Sequence, residues 1–214
     1  MILDKIELWA VNTNSWVIGR GKGGPAVLVD APPDLKGVLS LLARNEFSLA
    51  GVILTHGHID HMGSAQGVVE KSGATLFVHP ADDFLTLDPL RQLRLLFGEG
   101  FPGDYGVPGE TVALTDGENV SVAGIDLRVI HTPGHTPGHC CLFLEQEGWL
   151  FSGDHLFAGS VGRTDLPGGD WSKLCDSMRE KILPFPDETR VLPGHGPETT
   201  IGIERRSNPF LVGL

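Results

Sequence analysis

A mixed α/β fold follows from three features of the 214-residue sequence. Short segments rich in branched and aromatic residues recur, amphipathic helical segments lie between them, and Gly/Pro/Asp turn signals separate the two kinds. The element order before residue 110 resembles the order after it, without a detectable sequence repeat. We therefore expect one domain over 1–214, built from two similar halves at about 1–110 and 111–214.

In chain order, "IELWAV" at 6–11, "WVIG" at 16–19, "AVLVD" at 26–30, "GVILT" at 51–55 and "TLFVH" at 75–79 predict strands. "DLKGVLSLLARN" predicts a helix with Leu35, Val38, Leu39 and Leu42 on one stripe. "MGSAQGVVEKSG" predicts another, closed by Gly73. Residues 81–110 break the rhythm: a helical "LRQLRLLF" precedes a Gly/Pro-rich 98–109 stretch with the composition of a lid or a contact. "VSVAGIDLRVIH" at 120–131 predicts a hairpin turning at Gly124, and "CCLFLE" and "WLFSGD" predict further strands. "SKLCDSMREKIL" predicts a helix with Ser172 as N-cap and Leu174, Met178 and Ile182 on its buried face.

Composition excludes several classes. A net charge of -11, with no dense Lys/Arg stripe, argues against nucleic acid as a partner. The N-terminal stretch carries Asp4 and Glu7 instead of a basic leader, and no apolar run reaches spanning length. The expectation is a cytoplasmic protein with no membrane contact. Cys140, Cys141 and Cys175 form no disulfide or C-x-x-C pattern and are expected reduced and buried. No heptad or exposed stripe indicates an oligomeric state.

Four segments share one grammar, in which an apolar strand ends and a His or Asp follows in a Gly/Pro turn: "GVILTHGHIDH", "LRVIHTPGHTPGH", "WLFSGDH" and "TRVLPGHG". Ligands on loops at strand ends can converge on one point, and imidazole with carboxylate suits zinc and related divalent ions. In "HGHIDH", His56 and His58 alternate and can face one ion. Asp60 and His61 are adjacent and diverge, which suits a second. The plain alternative is a polar turn with Asp60 capping a helix; H-x-H-x-D-H directly after a strand favours metal.

"THGHIDH" resembles the T-H-x-H-x-D-H signature of the metallo-β-lactamase superfamily, and the three later segments match its further ligands in the family's order. The resemblance implies a four-layer αββα sandwich with a dinuclear site at one edge of two sheets. It also implies that His56, His58 and His135 hold one ion, that Asp60, His61 and His195 hold the other, and that Asp154 bridges them. Two divalent ions per chain are expected, zinc first, with iron or manganese also accepted by these donors. The implied chemistry is hydrolysis by a bridging water acidic enough to be hydroxide near neutral pH, with Asp60 as candidate proton acceptor. Asp30 in "VLVDAP" matches a position that supports the histidine ligands, and His131 and His139 are expected behind them. His79 is expected to play a structural part, and His155 to lie at the surface or behind the ligands.

Secreted zinc β-lactamases generally lack an aspartate bridge where this chain has Asp154, RNA-processing members carry additional domains, and flavin-linked members replace the second His of the motif. "HTPGHTPGH", "FSGDHLF", "GSVGRTDLPGGD", "LPGHG" and "ERRSNPFL" together resemble short members of the glyoxalase II group, that is, hydroxyacylglutathione hydrolase-like enzymes. The resemblance implies a small-molecule thioester or ester substrate of the S-(2-hydroxyacyl)-thiol type. Arg163 stands where the long enzymes direct a basic residue to glutathione; an ion pair with Asp165 or Asp170 is its plain alternative. Asp165 replaces a tyrosine of those enzymes, and only 19 residues follow His195, so their C-terminal helical domain has no counterpart and another thiol or ester is expected. The alternatives are a mononuclear-iron persulfide dioxygenase, which shares the "GRTD" stretch, and a metal-binding protein without catalysis, against which a full ligand set argues.

Overall fold

The computed structural model describes residues 1–214 as two six-stranded sheets packed face to face. The first sheet carries β1 (Ile2–Leu8), β2 (Thr13–Gly19), β3 (Pro25–Val29), β4 (Ser48–Ile53), β5 (Thr75–Val78) and β6 (Val112–Ala113), side by side in that order. Its first three strands are antiparallel and the remaining pairings parallel. The second sheet contains β7 (Asn119–Val122), β8 (Ile125–His131), β9 (Cys140–Leu144) and β10 (Trp149–Gly153). A small hairpin, β11 (Leu156–Phe157) with β12 (Ser160–Val161), separates these from β13 (Arg190–Pro193) and β14 (Thr199–Thr200), which complete it. The order is β14-β13-β10-β9-β8-β7.

The period-two alternation of side chains creates the layers. Val17 and Leu28 point outward onto Val38, Leu41 and Leu42 of α1 (Leu35–Arg44). Their neighbours Trp16, Ile18, Val27 and Val29 point the other way, onto Leu127, Val129, Leu142 and Phe151 of the second sheet. From that sheet Ile130, Cys141, Phe143 and Leu150 face outward onto the helix bearing Leu174, Met178 and Ile182. Three apolar cores thus separate four layers, helix, sheet, sheet and helix. Each fully buried Leu, Ile or Phe adds about 1.5–3 kcal/mol of transfer free energy.

The other helices are α2 (Ile59–Met62), α3 (Ala65–Ser72), α4 (Asp83–Thr86), α5 (Pro89–Leu96), α6 (Trp171–Ser177) and α7 (Ile201–Ser207). Gly73 ends α3 with φ 72°, and Ala123 (φ 57°) with Gly124 (φ 69°) makes the two-residue turn between β7 and β8. Ser172 is not a cap. Asp170, one residue outside the first helical position, accepts from Lys173 N at 3.1 Å, and α6 runs on as a π-helical turn over Met178–Ile182.

Two further departures have physical causes. The strand expected at 6–11 instead occupies Ile2–Leu8, because pairing from Ile2↔Gly19 to Leu8↔Thr13 requires Trp9 (φ 64°) and Asn12 (φ 55°) for the turn. The polar Thr13, Asn14 and Ser15 consequently lie in β2, fully buried. The Gly/Pro-rich 98–109 stretch lies as a strap against Trp9, Leu35 and Gly63. Trp9 packs edge-on against Phe97, Phe101 and Tyr105, and its Nε1 donates to Pro102 O at 2.9 Å. Asp104 Oδ2 accepts from Leu35 N at 2.8 Å, and Gly106 N donates to Gly63 O at 3.0 Å. All three cysteines are free; Cys140 and Cys141 are buried and Cys175 is half-buried. No helix is long and apolar enough to cross a membrane.

Candidate metal centre

The four motif segments end at one edge of the two sheets. β4 delivers His56 and His58, α2 carries Asp60 and His61, the β8–β9 loop carries His135, β10 runs into Asp154, and β13 into His195. His56 Nε2, His58 Nδ1 and His135 Nε2 lie 2.8–3.2 Å from one another. Asp60 Oδ2, His61 Nε2 and His195 Nε2 form a second triangle with sides of 3.2–3.4 Å. Asp154 stands between the groups, with Oδ1 3.3 Å from His61 Nε2 and Oδ2 3.4 Å from His195 Nε2 and 3.6 Å from His135 Nε2.

These atoms do not satisfy each other. Three ring nitrogens aimed at one point offer lone pairs to lone pairs, and the buried Asp154 Oδ1 has no hydrogen bond. Ligand atoms around a tetrahedral zinc with bonds of about 2.0–2.1 Å lie roughly 3.3 Å apart, close to the spacing of both triangles. The donor set therefore fits divalent metal, and the chain carries metal-binding His/Asp clusters.

The far side of each ring is held by a specific acceptor. His61 Nδ1 donates to Asp30 Oδ2 at 2.8 Å, and His56 Nδ1 to Thr55 Oγ1 at 3.0 Å, whose hydroxyl reaches Asp30 Oδ2 at 2.9 Å. His135 Nδ1 donates to Arg163 O at 2.7 Å and His195 Nδ1 to Val11 O at 3.2 Å. This pattern places a proton on Nδ1 and turns Nε2 toward the metal position in all four; His58 alone turns Nδ1 inward. Asp30 adopts φ 61°, a left-handed conformation that aspartate tolerates better than most residues. Asp30→Ala should lower metal affinity about 10–100-fold, read by competition with a chromogenic chelator.

The two groups differ electrically. Burial and then the neighbouring imidazoles, His135 foremost, push His58 down to about 3; burial and His61 hold His56 well below its ordinary value. Burial also disfavours charge on His61 and His195. The carboxylates of Asp154 and Asp60, joined at His61 by Asp30, outweigh it, raising His61 well above 6.5 and His195 to about 10. Burial would raise both carboxyls, but His61 and His195 hold Asp60 at about 2 and Asp154 well below the usual range.

Several groups around the site carry no motif. Asp82, buried, accepts from Gly57 N (2.8 Å), Gly138 N (2.6 Å) and Thr136 Oγ1 (2.7 Å), tying the His56–His58 loop to the His135 loop. Gln92 accepts from Ile59 N and donates to Gly57 O and Leu85 O. Asn14 donates to Pro193 O and Gly196 O, anchoring the His195 loop, and Thr13 Oγ1 lies 3.3 Å from Asp60 Oδ2. A Cβ on Gly194 would collide with Asp154 Oδ1 and His61 Cε1, so this close approach requires glycine. Only "PGHG" hinted at that requirement; nothing marked Asp82, Gln92 or Asn14.

Expectations for the remaining histidines separate. His139 Nε2 accepts from Asp154 N at 3.1 Å while its Nδ1 pairs with Thr132 Oγ1 at 2.9 Å, so it does stand behind a donor. His131 does not: its ring bonds Pro137 O at 2.8 Å and stacks on His79 at 4.2 Å, because β8 ends before the loop turns toward the centre. His155 does not lie at the surface, as one of its two expected placements had it, but is fully buried with neither ring nitrogen hydrogen-bonded. Arg163 gives its side chain to Asp165 in a two-pronged pair at 2.7 Å, exposed to solvent at the edge of the cleft, while its carbonyl orients His135.

Comparison with known proteins agrees with this architecture. The metallo-beta-lactamase superfamily model matches residues 8–195. An uncharacterized Mycobacterium tuberculosis protein is 42% identical over 209 residues, covering 94% of this chain and 93% of that one. The Haemophilus influenzae hydroxyacylglutathione hydrolase GloC is 34% identical over 186 residues, 87% of each chain. Among solved structures, the BLEG-1 B3 metallo-beta-lactamase aligns at TM-score 0.90 with 35% identity, over 99% of this chain and all of that one. A di-iron-bound TTHA1623 aligns at 0.86 with 36% identity, over 97% and 100%. ETHE1 from Myxococcus xanthus aligns at 0.77 with 29% identity, over 100% and 85%. With the fold, the paired donor groups and a family match across most of its length, the chain belongs to the metallo-beta-lactamase superfamily.

Proposed function

We propose that the protein is a dinuclear-metal hydrolase of a thioester or ester, of the S-(2-hydroxyacyl)-thiol type. The observation that carries this reading is the pair of three-donor groups joined by Asp154, open to a cleft of about 430 Å³. His56, His58 and His135 would hold one ion and Asp60, His61 and His195 the other, zinc being the first choice for these donors, and such a pair would supply an acidic water and a Lewis acid for the substrate carbonyl. The chain's own residues do the rest. Val11, Phe97, Phe157 and Val161 line the cleft and limit water around the reacting carbonyl. Arg163 stands at the same cleft, free to exchange its exposed Asp165 partner for a substrate carboxylate. Asp60, ionised and next to Thr13 Oγ1, accepts the proton of the attacking water. The relationship to GloC supports the thioester class.

Asp60→Asn should retain metal in the His56–His58–His135 group and reduce kcat about 10²–10⁴-fold. Metal analysis and steady-state kinetics on one preparation check this; full occupancy with unchanged turnover removes Asp60 from proton transfer. The persulfide dioxygenase reading uses one iron on three donors and leaves four of the seven without a metal. The likeness to BLEG-1 places a β-lactam beside thioesters, esters and lactones in the substrate panel. Failure to hydrolyse any member of that panel would defeat the proposal.

A further inference from the structure

Five of the large apolar side chains left exposed fall between residues 84 and 96: Phe84, Leu87, Leu90, Leu95 and Leu96. The inward face of α5 is already satisfied by Leu93 and Gln92, so these chains are surplus to the core. Leu95 is 66% exposed and Phe84 49%, and apolar side chains clustered on a surface in this way call for an explanation that scattered ones do not.

A narrow cleft of about 100 Å³ runs along this patch, walled mainly by Phe84, Leu85, Leu95, Leu96, Leu166 and Pro167, with the solvent-exposed Asp88 and Arg91 also in its lining, and reaching His58. His58, Leu96 and Leu166 also line the main cleft over the donor groups, so the two spaces are continuous. The buried polar residue in the wall, Gln92, has its amide consumed by Gly57, Leu85 and Ile59. The charged groups of the side cleft, Asp88 and Arg91, are exposed, whereas the main cleft carries Asp60, Asp154 and His195 of the donor groups together with Arg163.

Resting on the hydrolase reading above, we propose that the side cleft binds the acyl side chain of the substrate, which is an ester or thioester whose acyl group carries an apolar chain or ring. A carbonyl placed over the donors has two substituents that must leave in different directions. The narrow apolar cleft beside His58 suits the acyl side chain, and the wider polar cleft past Arg163 suits the thiol or alcohol. Burying each additional methylene there multiplies apparent affinity about two- to fourfold.

The test uses zinc-loaded protein and thioesters of one thiol from acetyl to hexanoyl. We expect kcat/KM to rise about two- to fourfold per methylene, Leu95→Asp to flatten that dependence, and Leu87→Asp, outside the cleft, to preserve it. Independently of turnover, 1-hexanol should shift NMR signals of residues 84–96 and 166–167, and Leu95→Asp should abolish the shifts. Turnover without chain-length dependence overturns the acyl site and leaves the hydrolase reading standing. No turnover of any thioester, nor of the matching esters and the rest of the substrate panel, defeats the hydrolase reading, and hexanol binding elsewhere then overturns the cleft as well. If Leu95→Asp instead dissociates an oligomer with the dependence intact, the patch is a subunit contact and the proposal fails.

Discussion

Asp154→Ala is expected to lower hydrolysis by more than about 100-fold and to release at least one of two bound metals. Residues outside the donor set are themselves worth about 10–100-fold, and Asp154 lies inside it. Its carboxylate stands within 3.3–3.6 Å of His61, His195 and His135, and its Oδ1 is buried without another partner. The same change removes the leading attraction that holds His61 and His195 protonated, so the two ring pKa values should fall. Metal content, kcat and the imidazole NMR titration of the variant separate these effects. A variant that keeps both metals and full turnover would show that Asp154 does not join the two groups.

How much of this centre is legible in the sequence depends on the kind of residue. Metal donors follow strand ends in dense short motifs, so His56, His58, Asp60 and His61 stand out in "THGHIDH". His135, Asp154 and His195 stand out in the segments that share its grammar. The layers were legible for a related reason, since alternating apolar residues such as Val17 against Trp16 and Ile18 state which face is buried. Residues that act through tertiary contacts carry no such mark. Asp82 reaches Gly138 across 56 positions and Asn14 reaches Pro193 across 179, and no local spacing encodes either. β2 begins three residues earlier than its apolar pattern because Thr13, Asn14 and Ser15 face buried carbonyls and carboxylates; polarity there hides a strand. Ser172 looked like a cap because it precedes the apolar stripe of α6, but Asp170 satisfies the first turn from further out.

Metal uptake should depend steeply on pH at one group and weakly at the other. His61 and His195 have pKa values raised above 6.5, the latter to about 10, so in the metal-free protein both carry a proton at neutral pH and must lose it to bind metal. His58, near 3, and His56, also depressed, already present free lone pairs. Affinity at the Asp60–His61–His195 group should therefore fall by up to about 100-fold per pH unit below neutrality, about tenfold for each proton displaced. Calorimetry in buffers of different ionisation enthalpy should show more protons released with the second equivalent of zinc than with the first. Equal release for both equivalents would contradict the electrical difference between the groups. In the metal-free protein the raised imidazoles contribute stability fully present below pH 6.5 and lost as pH rises, for His195 through about 10. The depressed Asp60 contributes stability present above 3.8 and lost as pH falls through about 2. Buried His56 and His58, the latter held at about 3, work the other way, since they must stay neutral in the fold and cost stability as pH falls below 6.5. Thermal unfolding should accordingly show its highest transition near pH 6.5, falling on both sides, and metal loading should flatten the alkaline side.

The proposed hydrolysis of an acyl bond requires two metals on the seven donors. Elemental analysis and a thioester hydrolysis assay on the same preparation test it most directly. Two divalent ions per chain are expected, with activity lost on chelation and regained in proportion to the second equivalent restored. One iron per chain, with oxygen uptake on a persulfide and no hydrolysis, would contradict it.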